Sequence, residues 1–437
     1  MRIAVVTDTY TPEINGVVTS IEAHTRALVA LGHEILVFAP KYRDAHVPAA
    51  PPGIIVERFP AFSFATNKAT RVALPSVVSV VAKLRRFDAD VVHVHTPLTL
   101  GVVGLLAAKA LRLPTVETYH TYLPDFMQYV EPRRLLGIDD LQTVITSSIV
   151  IERMLESGLW QRIVRSRALI EERTDDFIDA IVGISEEVAE GRPELTTRLA
   201  WRYTRLLYNR ADLVLTPSLT LKRELMRHGV TVPVDYLSNG IDLGAVVPKE
   251  SYERTGRIIH AGRLGHEKNV DVVIKAFARI AERTDDVMLD IAGDGPAREG
   301  LERLAGRLGL HERVRFLGFM DRAALGAHYR EYDCFVTAST IETQGIVLLE
   351  AMASGLPVAG VRALAIPEIV RSGRDGIVVA PFDVQSLARA MERLTSEDEL
   401  RERFGRAGRK DVQRHALAAV VAELECLYRQ TAAAAQA

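Results

Sequence analysis

The feature that most constrains the fold is an alternation of short apolar runs with longer stretches of helical periodicity, run through twice along the chain. Such an alternation calls for parallel sheets covered by helices on both faces. The first series of runs occupies residues 3–6, 35–39, 55–59, 91–95, 115–118 and 213–216, and the second residues 257–261, 288–292, 314–317, 334–337, 357–360 and 376–379. A chain of 437 residues is also too long for one ordinary core. Two Rossmann-like, doubly wound α/β domains are therefore expected, at 1–237 and 238–415, with the linker near 238–249 and a last helical segment over 416–437.

One segment departs from the alternation. Over about 132–199, Leu141, Val144, Ile145, Ile149, Leu155, Leu159, Ile163 and Val164 recur near helical spacing with acids and arginines between them. It reads as a helical insertion on the first domain, serving as a partner surface, a packed lid or plain scaffold.

Charge and cysteine usage narrow the function classes. A net charge of −2 offers no basic excess to neutralise phosphates, which argues against general nucleic-acid binding. With only Cys334 and Cys426, the former in an apolar strand, no disulfide framework is expected and a reducing cytoplasm fits. The start runs straight into a strand without a signal-peptide core, and the longest apolar stretch, 100–108, stops at Lys109, too short to span a bilayer.

The residues that invite chemistry lie mostly in the second series. In Ser339-Thr-Ile-Glu-Thr-Gln-Gly-Ile-Val-Leu-Leu-Glu-Ala-Met-Ala-Ser-Gly355, Glu350 sits inside a greasy run, where a carboxylate loses hydration unless something specific binds it. Gly345 reads as a helix N-terminus and Gly355 as its stop, so Glu342 precedes the helix. Eight positions along a helix amount to roughly 12 Å, beyond the roughly 5–9.5 Å of glycosidase acid and base pairs. The spacing suits the two ends of an elongated ligand, with helix amides facing an anion between them. An N-capping acid and a stray surface glutamate are the plainer alternative.

Upstream, His260-Ala-Gly-Arg-Leu-Gly-His-Glu-Lys268-Asn269 places Arg263 and Lys268 on a turn at the carboxyl end of a strand, where open α/β sheets bind ligands. A guanidinium fork and an ammonium there would neutralise a diphosphate, though a basic turn alone is as well read as a solvated loop. Gly16, after the first strand, lets a backbone amide approach a phosphate or simply makes a turn. His120 ends another strand and, taken alone, is a structural histidine as readily as a functional one.

Together the motifs Thr7-Asp-Thr-Tyr-Thr-Pro-Glu-Ile-Asn-Gly-Val-Val-Thr-Ser20, Val91-Val-His-Val-His-Thr-Pro97, Glu117-Thr-Tyr-His-Thr121, Leu237-Ser-Asn-Gly-Ile-Asp242, the Arg263/Lys268 turn, Ala292-Gly-Asp-Gly-Pro296 and the segment holding both glutamates resemble, in this order, the retaining GT-B glycosyltransferases of glycosyltransferase family 4. Asn15-Gly16, the run Thr118-Tyr-His-Thr-Tyr-Leu-Pro-Asp-Phe126 and Glu342-Thr-Gln-Gly345 look most like bacterial diacylglycerol glucosyltransferases. The resemblance implies an acceptor-side first domain, a nucleotide-sugar-binding second domain, a cleft between them and a terminal helix returning to the first. It assigns His120 and Glu342 to the donor sugar and Glu350 to the ribose. Gly16, Arg263, Lys268 and the amides of Gly345 and Ile346 would meet the phosphates, and the Phe319-Met320 loop the base. Asp294 reads equally as structural.

The implied reaction moves a hexose, glucose foremost, from a nucleotide sugar (UDP foremost) to a lipid acceptor such as diacylglycerol, by positioning and charge stabilisation. No cofactor or metal is expected, since no Asp-x-Asp pattern stands out. Residues 74–86 carry an apolar face ending in Lys83, Arg85 and Arg86, which fits either an anionic membrane surface or an ordinary sheet-covering helix. A soluble acceptor such as a sugar phosphate, a non-catalytic nucleotide-sugar-binding module, and an epimerase or phosphorylase on the same architecture remain alternatives.

Overall fold

The computed structural model describes residues 1–42, 47–63, 71–122 and 193–436. The chain divides into two compact units, one of residues 1–216, 222–235 and 425–437, the other of residues 217–221 and 236–424. The helical insertion expected at about 132–199, and the resemblance-bearing run beyond Tyr122, lie outside the described residues up to position 192.

The first unit is built on strands β1 (Arg2–Val6), β2 (Glu34–Pro40), β3 (Ile54–Phe59), β6 (Val91–Val94), β7 (Thr115–Thr118), β8 (Leu213–Thr216) and β9 (Val234–Tyr236), ordered β3-β2-β1-β6-β7-β8-β9. A small antiparallel pair, β4 (Ala61–Ser63) and β5 (Arg71–Ala73), stands beside it. From β3 to β8 the neighbours pair parallel, with Ile3 opposite both Ile35 and Val91. Ala4, Val6, Leu36, Phe38, Val92 and Val94 point into one apolar cluster, to which Val80 and Leu84 contribute from the helix Val77–Phe87 and Leu100 and Ala107 from Thr99–Leu111. The apolar face of 74–86 is thus spent on the core, the sheet-covering alternative. Lys83 is neutralised by Glu57 at 2.6 Å, leaving Arg85 and Arg86 exposed.

The second unit repeats the plan with β10 (Arg257–Ala261), β11 (Met288–Ala292), β12 (Val314–Gly318), β13 (Cys334–Val336), β14 (Val358–Val361) and β15 (Gly376–Val379), ordered β12-β11-β10-β13-β14-β15 and parallel throughout. Ile258, Ile259, Leu289, Ile291, Phe335 and Val358 form its sheet core, closed by Val273 and Phe277 on one covering helix and Leu387 and Met391 on another. Every apolar run read as a strand falls on an observed strand. What the sequence reading lacked were β4, β5 and β9, each three residues long, too short for periodicity to register.

In both sheets the strand order reverses beside the first strand of the unit, between β1 and β6 and between β10 and β13. Loops leaving the carboxyl ends of such a pair diverge to opposite faces and leave room for a ligand. The segments that carry the sequence motifs are those loops: 7–15 and 95–98 in the first unit, 262–269 and 337–345 in the second.

The last helix, Leu417–Gln436, belongs to the second unit up to Leu424 and to the first from Glu425. Among the described residues no helix is long and apolar enough to cross a membrane.

Candidate functional site

At the switch point of the second sheet the turn after β10 and the loop after β13 are tied together. The chain leaves β10 through a short 3-10 turn, His266–Lys268, closed by Asn269 in the left-handed region (φ 50°). From there the Asn269 amide donates to the Ala338 carbonyl at 3.3 Å and the Thr340 hydroxyl at 3.2 Å. This anchoring sets Lys268 against the second loop, and its Nζ donates to Glu342 Oε1 at 2.6 Å. Both side chains are largely buried, 19% and 13% exposed, so the pair is poorly screened by solvent. Burial alone would raise the Glu342 carboxyl, but the charge and hydrogen bond of Lys268 outweigh it and hold the group below its ordinary range.

Beneath this pair lies His260. Its Nδ1 meets the Val336 carbonyl at 2.9 Å, and since a carbonyl only accepts, Nδ1 carries the proton and Nε2 is a lone pair. Burial depresses this imidazole to about 4, so it is neutral.

Gly345, at φ +80°, turns the loop into the helix Ile346–Ala353, and no side chain caps it. Leu348 donates back to the Gly345 carbonyl at 2.9 Å, but among the described residues the Ile346 and Val347 amides have no such bond and no cap, which leaves the terminus able to receive an anion. Glu350 points inward from this helix, and its Oε1 accepts from Arg322 Nε at 2.7 Å. Burial raises its carboxyl, and the Arg322 charge offsets that only in part. The stray-surface reading of Glu350 is excluded by its 7% exposure. Arg263 is half exposed and ion-pairs with Glu267, four residues on.

A second turn braces the first. Gly293 after β11 sits at φ +144° so close to Gly262 that a Cβ would collide with the Gly262 carbonyl oxygen. The two turns then share Leu264 N–H to Asp294 O at 2.9 Å and Gly262 N–H to Ala292 O at 3.0 Å. Asp294 accepts from the Gly295 amide at 2.7 Å and pairs with Arg298, a bracing role. Past β12, Phe319 is 55% exposed while Met320 packs against the core.

In the first unit, Asn15 caps the helix Gly16–Ala30 by accepting from the Val18 amide at 2.9 Å, leaving Gly16 exposed at its start. His120 follows β7 and is buried, its Nε2 2.9 Å from Nδ1 of His95. Burial, and then the nearby His24, lower His120 to about 3, so the ring is a neutral hydrogen-bonding group rather than a cation. On the opposite face of β7, Glu117 is wholly buried, and among the described residues neither carboxylate oxygen has a hydrogen-bond partner. Burial pushes its carboxyl up to about 8.

The structure therefore brings Lys268, Glu342, Gly345, Ile346 and Glu350 to one sheet edge, with Arg263 on the same turn as Lys268. His120 and Gly16 stand at the equivalent edge of the first sheet. The sequence reading did not identify Arg322, Glu267, His95, His260 or Glu117. Arg322 lies 28 positions from Glu350 and shares no periodicity with it, so no linear signal links them. His95 was within reach, since His-Val-His on a strand places both rings on one face. Among the described residues no group of His, Cys, Asp or Glu is arranged to hold a metal ion.

Comparison with known proteins gives two family matches: "Glycosyltransferase Family 4" over residues 14–191 and 187–245, and "Glycosyl transferases group 1" over residues 247–411. The chain is 30% identical to a GDP-mannose-dependent alpha-mannosyltransferase of Mycolicibacterium smegmatis, covering 94% of this chain and 92% of that one. It is 26% identical to an alpha-monoglucosyldiacylglycerol synthase of Streptococcus pneumoniae over 82% of this chain and 70% of the other. Among solved structures, Anabaena HepE in complex with UDP and glucose superposes with a TM-score of 0.69 at 19% identity, over 98% of this chain and all of that one, a likeness of fold.

Proposed function

The chain belongs to glycosyltransferase family 4, with the two Rossmann-like domains of the GT-B fold, and from that premise we propose that it transfers a hexose, with retention of anomeric configuration, from a nucleoside diphosphate sugar to a lipid hydroxyl such as that of diacylglycerol. The observation that carries the donor half is the buried Lys268–Glu342 pair beside an uncapped helix N-terminus, with the buried carboxylate of Glu350 in that same helix. Cationic side chains, free amides and flanking carboxylates are what a diphosphate bearing a sugar at one end and a ribose at the other requires.

In this reading Lys268 and Arg263 neutralise the departing diphosphate, Arg263 exchanging its Glu267 contact for phosphate oxygens, while the amides of Gly345, Ile346 and Gly16 donate to it. Glu342 accepts from the hexose hydroxyls, Glu350 from the ribose diol, and the Phe319-Met320 loop borders the base. His120, neutral, hydrogen-bonds a sugar hydroxyl. The acceptor oxygen attacks on the face that the diphosphate leaves, and fixed charges rather than a metal stabilise the separation of charge.

Glucose from UDP-glucose is the first reading, supported by the Streptococcus synthase and by the ligands of HepE. Mannose from GDP-mannose is the second, favoured by the Mycolicibacterium relative, which is more identical over nearly the whole chain. A lipid acceptor implies reversible attachment at the inner face of a membrane, where exposed Arg85 and Arg86 would each contribute about 1 kcal/mol against anionic lipid. The test is transfer of radiolabelled sugar from UDP-glucose and GDP-mannose with vesicles of diacylglycerol and anionic phospholipid. Label in the organic extract supports the proposal, and the donor that supplies it chooses between the readings. Label confined to water-soluble product rejects the lipid acceptor, and no transfer from any sugar nucleotide replaces the enzyme with a binding module.

A further inference from the structure

The carboxyl edge of the first sheet holds a row of buried imidazoles that the donor-site reading does not use. His93, on β6, and His95, one residue past its end, stand two positions apart on one face; Val116 stands opposite His93, which puts Thr118 on that face as well, and His120, two residues past β7, meets His95 there. His93 Nδ1 lies 2.6 Å from the Tyr428 hydroxyl and its Nε2 2.7 Å from the Thr118 hydroxyl, so both of its nitrogens are engaged. The His95 ring packs on it at 3.9 Å between centroids. On its other side His95 Nδ1 meets His120 Nε2 at 2.9 Å, the rings nearly parallel at 17°.

From this geometry we infer that His95 is a positioning residue that locks the tautomer and the ring orientation of His120. The inference rests on the reading of His120 as a group that touches the donor sugar. Each neutral imidazole carries one N–H. A bond between two imidazole nitrogens contains one hydrogen, so whichever ring donates, the tautomer of His120 is tied to that of His95. With Nε2 committed, Nδ1 is the nitrogen of His120 left for a ligand, and whether it donates or accepts is set by the tautomer of His95. His95 has no freedom to turn away, being 3% exposed and stacked on a ring that is itself held at both nitrogens. Burial lowers all three imidazoles, and the charge of His24 lowers each of them further, so the row is neutral.

The experiment pairs kinetics with nitrogen-15 spectroscopy of histidine-labelled protein. In the parent, His120 gives the shifts of one neutral tautomer. His95→Phe keeps the volume and the stacking but removes the nitrogen. It is expected to return His120 to a tautomer mixture and lower kcat roughly 10- to 100-fold, with donor KM within about twofold. His95→Asn places an amide where Nδ1 was and restores kcat to within about fivefold, whereas His95→Gln, whose amide lies at the Nε2 position, does not. The inference is overturned if the parent already shows a tautomer mixture, if His95→Phe leaves kcat unchanged or loses it only as a matching rise in donor KM, or if His95→Asn is no better than His95→Phe. Should His95→Phe fail to fold, the parent spectrum and the Asn and Gln pair decide the matter. Failure of the underlying reading looks different: His120→Asn then turns over at the parental rate, while the tautomer spectra still report the coupling between the rings.

Discussion

Glu117 is the residue whose replacement has the most surprising expected result, since removing a charge-bearing group from the centre of a sheet should stabilise the protein at alkaline pH. The carboxyl lies on β7 between Val94 and Val214 of the neighbouring strands, wholly buried, with no hydrogen-bond partner among the described residues. Burial raises it from 4.5 to about 8. The folded chain thus keeps a proton that the unfolded chain releases, so between those values the native state binds more protons and stability falls as pH rises. The contribution is complete below 4.5 and is lost as the pH passes through about 8. A gap of about 3.5 pH units at about 1.36 kcal/mol each amounts to about 5 kcal/mol. Glu117→Gln keeps the shape and removes the titration. Urea unfolding of parent and variant at pH 5.5, 7 and 8.5 is expected to show a stability difference that moves in the variant's favour by several kcal/mol across the series. Taking the difference cancels the histidines, which titrate alike in both. Parallel pH dependences, within about 1 kcal/mol, would mean that Glu117 ionises normally within the fold, and the argument from burial would be wrong.

Lys268→Met leaves Glu342 nearly buried without its cation, so unfolding free energy should drop by about 3 kcal/mol and donor KM should rise at least about tenfold. The double variant Lys268→Met/Glu342→Gln should regain most of the stability and none of the activity. If it does not, the two side chains are not one unit. Arg322→Ala should weaken donor binding, read by calorimetry, and remove about 1–2 kcal/mol of stability, since Glu350 then lacks its partner. Unchanged donor affinity would separate Glu350 from the ligand. His415 accepts from Arg414 Nε at 3.0 Å and faces the Ser238 hydroxyl at 2.9 Å, and burial, then Arg414, lower it to about 4. Its contribution is present above 6.5 and lost as pH falls toward 4, so His415→Gln should flatten the acid limb of the stability curve by up to about 3 kcal/mol. An acid limb identical to the parent's would put that loss in other groups.

Much of the donor half was legible because its signals are local. Glu350 announced itself as an acid in an apolar run, Gly345 and Gly355 bracketed the helix, and Arg263 and Lys268 lay at the end of a readable strand. The partners of those residues were not legible. Nothing in the sequence pairs Arg322 with Glu350 or sets Lys268 on Glu342, because each contact joins loops from different strands. The patch at 74–86 shows the same limit, since an amphipathic face looks alike whether a sheet or a lipid surface covers it, and here Val80 and Leu84 are in the core.

The sequence by itself determined the two parallel sheets and the identity of the residues at their carboxyl edges, because strand and helix periods and turn glycines act over a few neighbouring positions. Only the tertiary structure decided which charges meet, which carboxyls are stripped of water and which imidazoles share a proton. Those depend on distances between segments up to several hundred residues apart, as between His93 and Tyr428, and at such separations the chain carries no periodicity from which contact can be read.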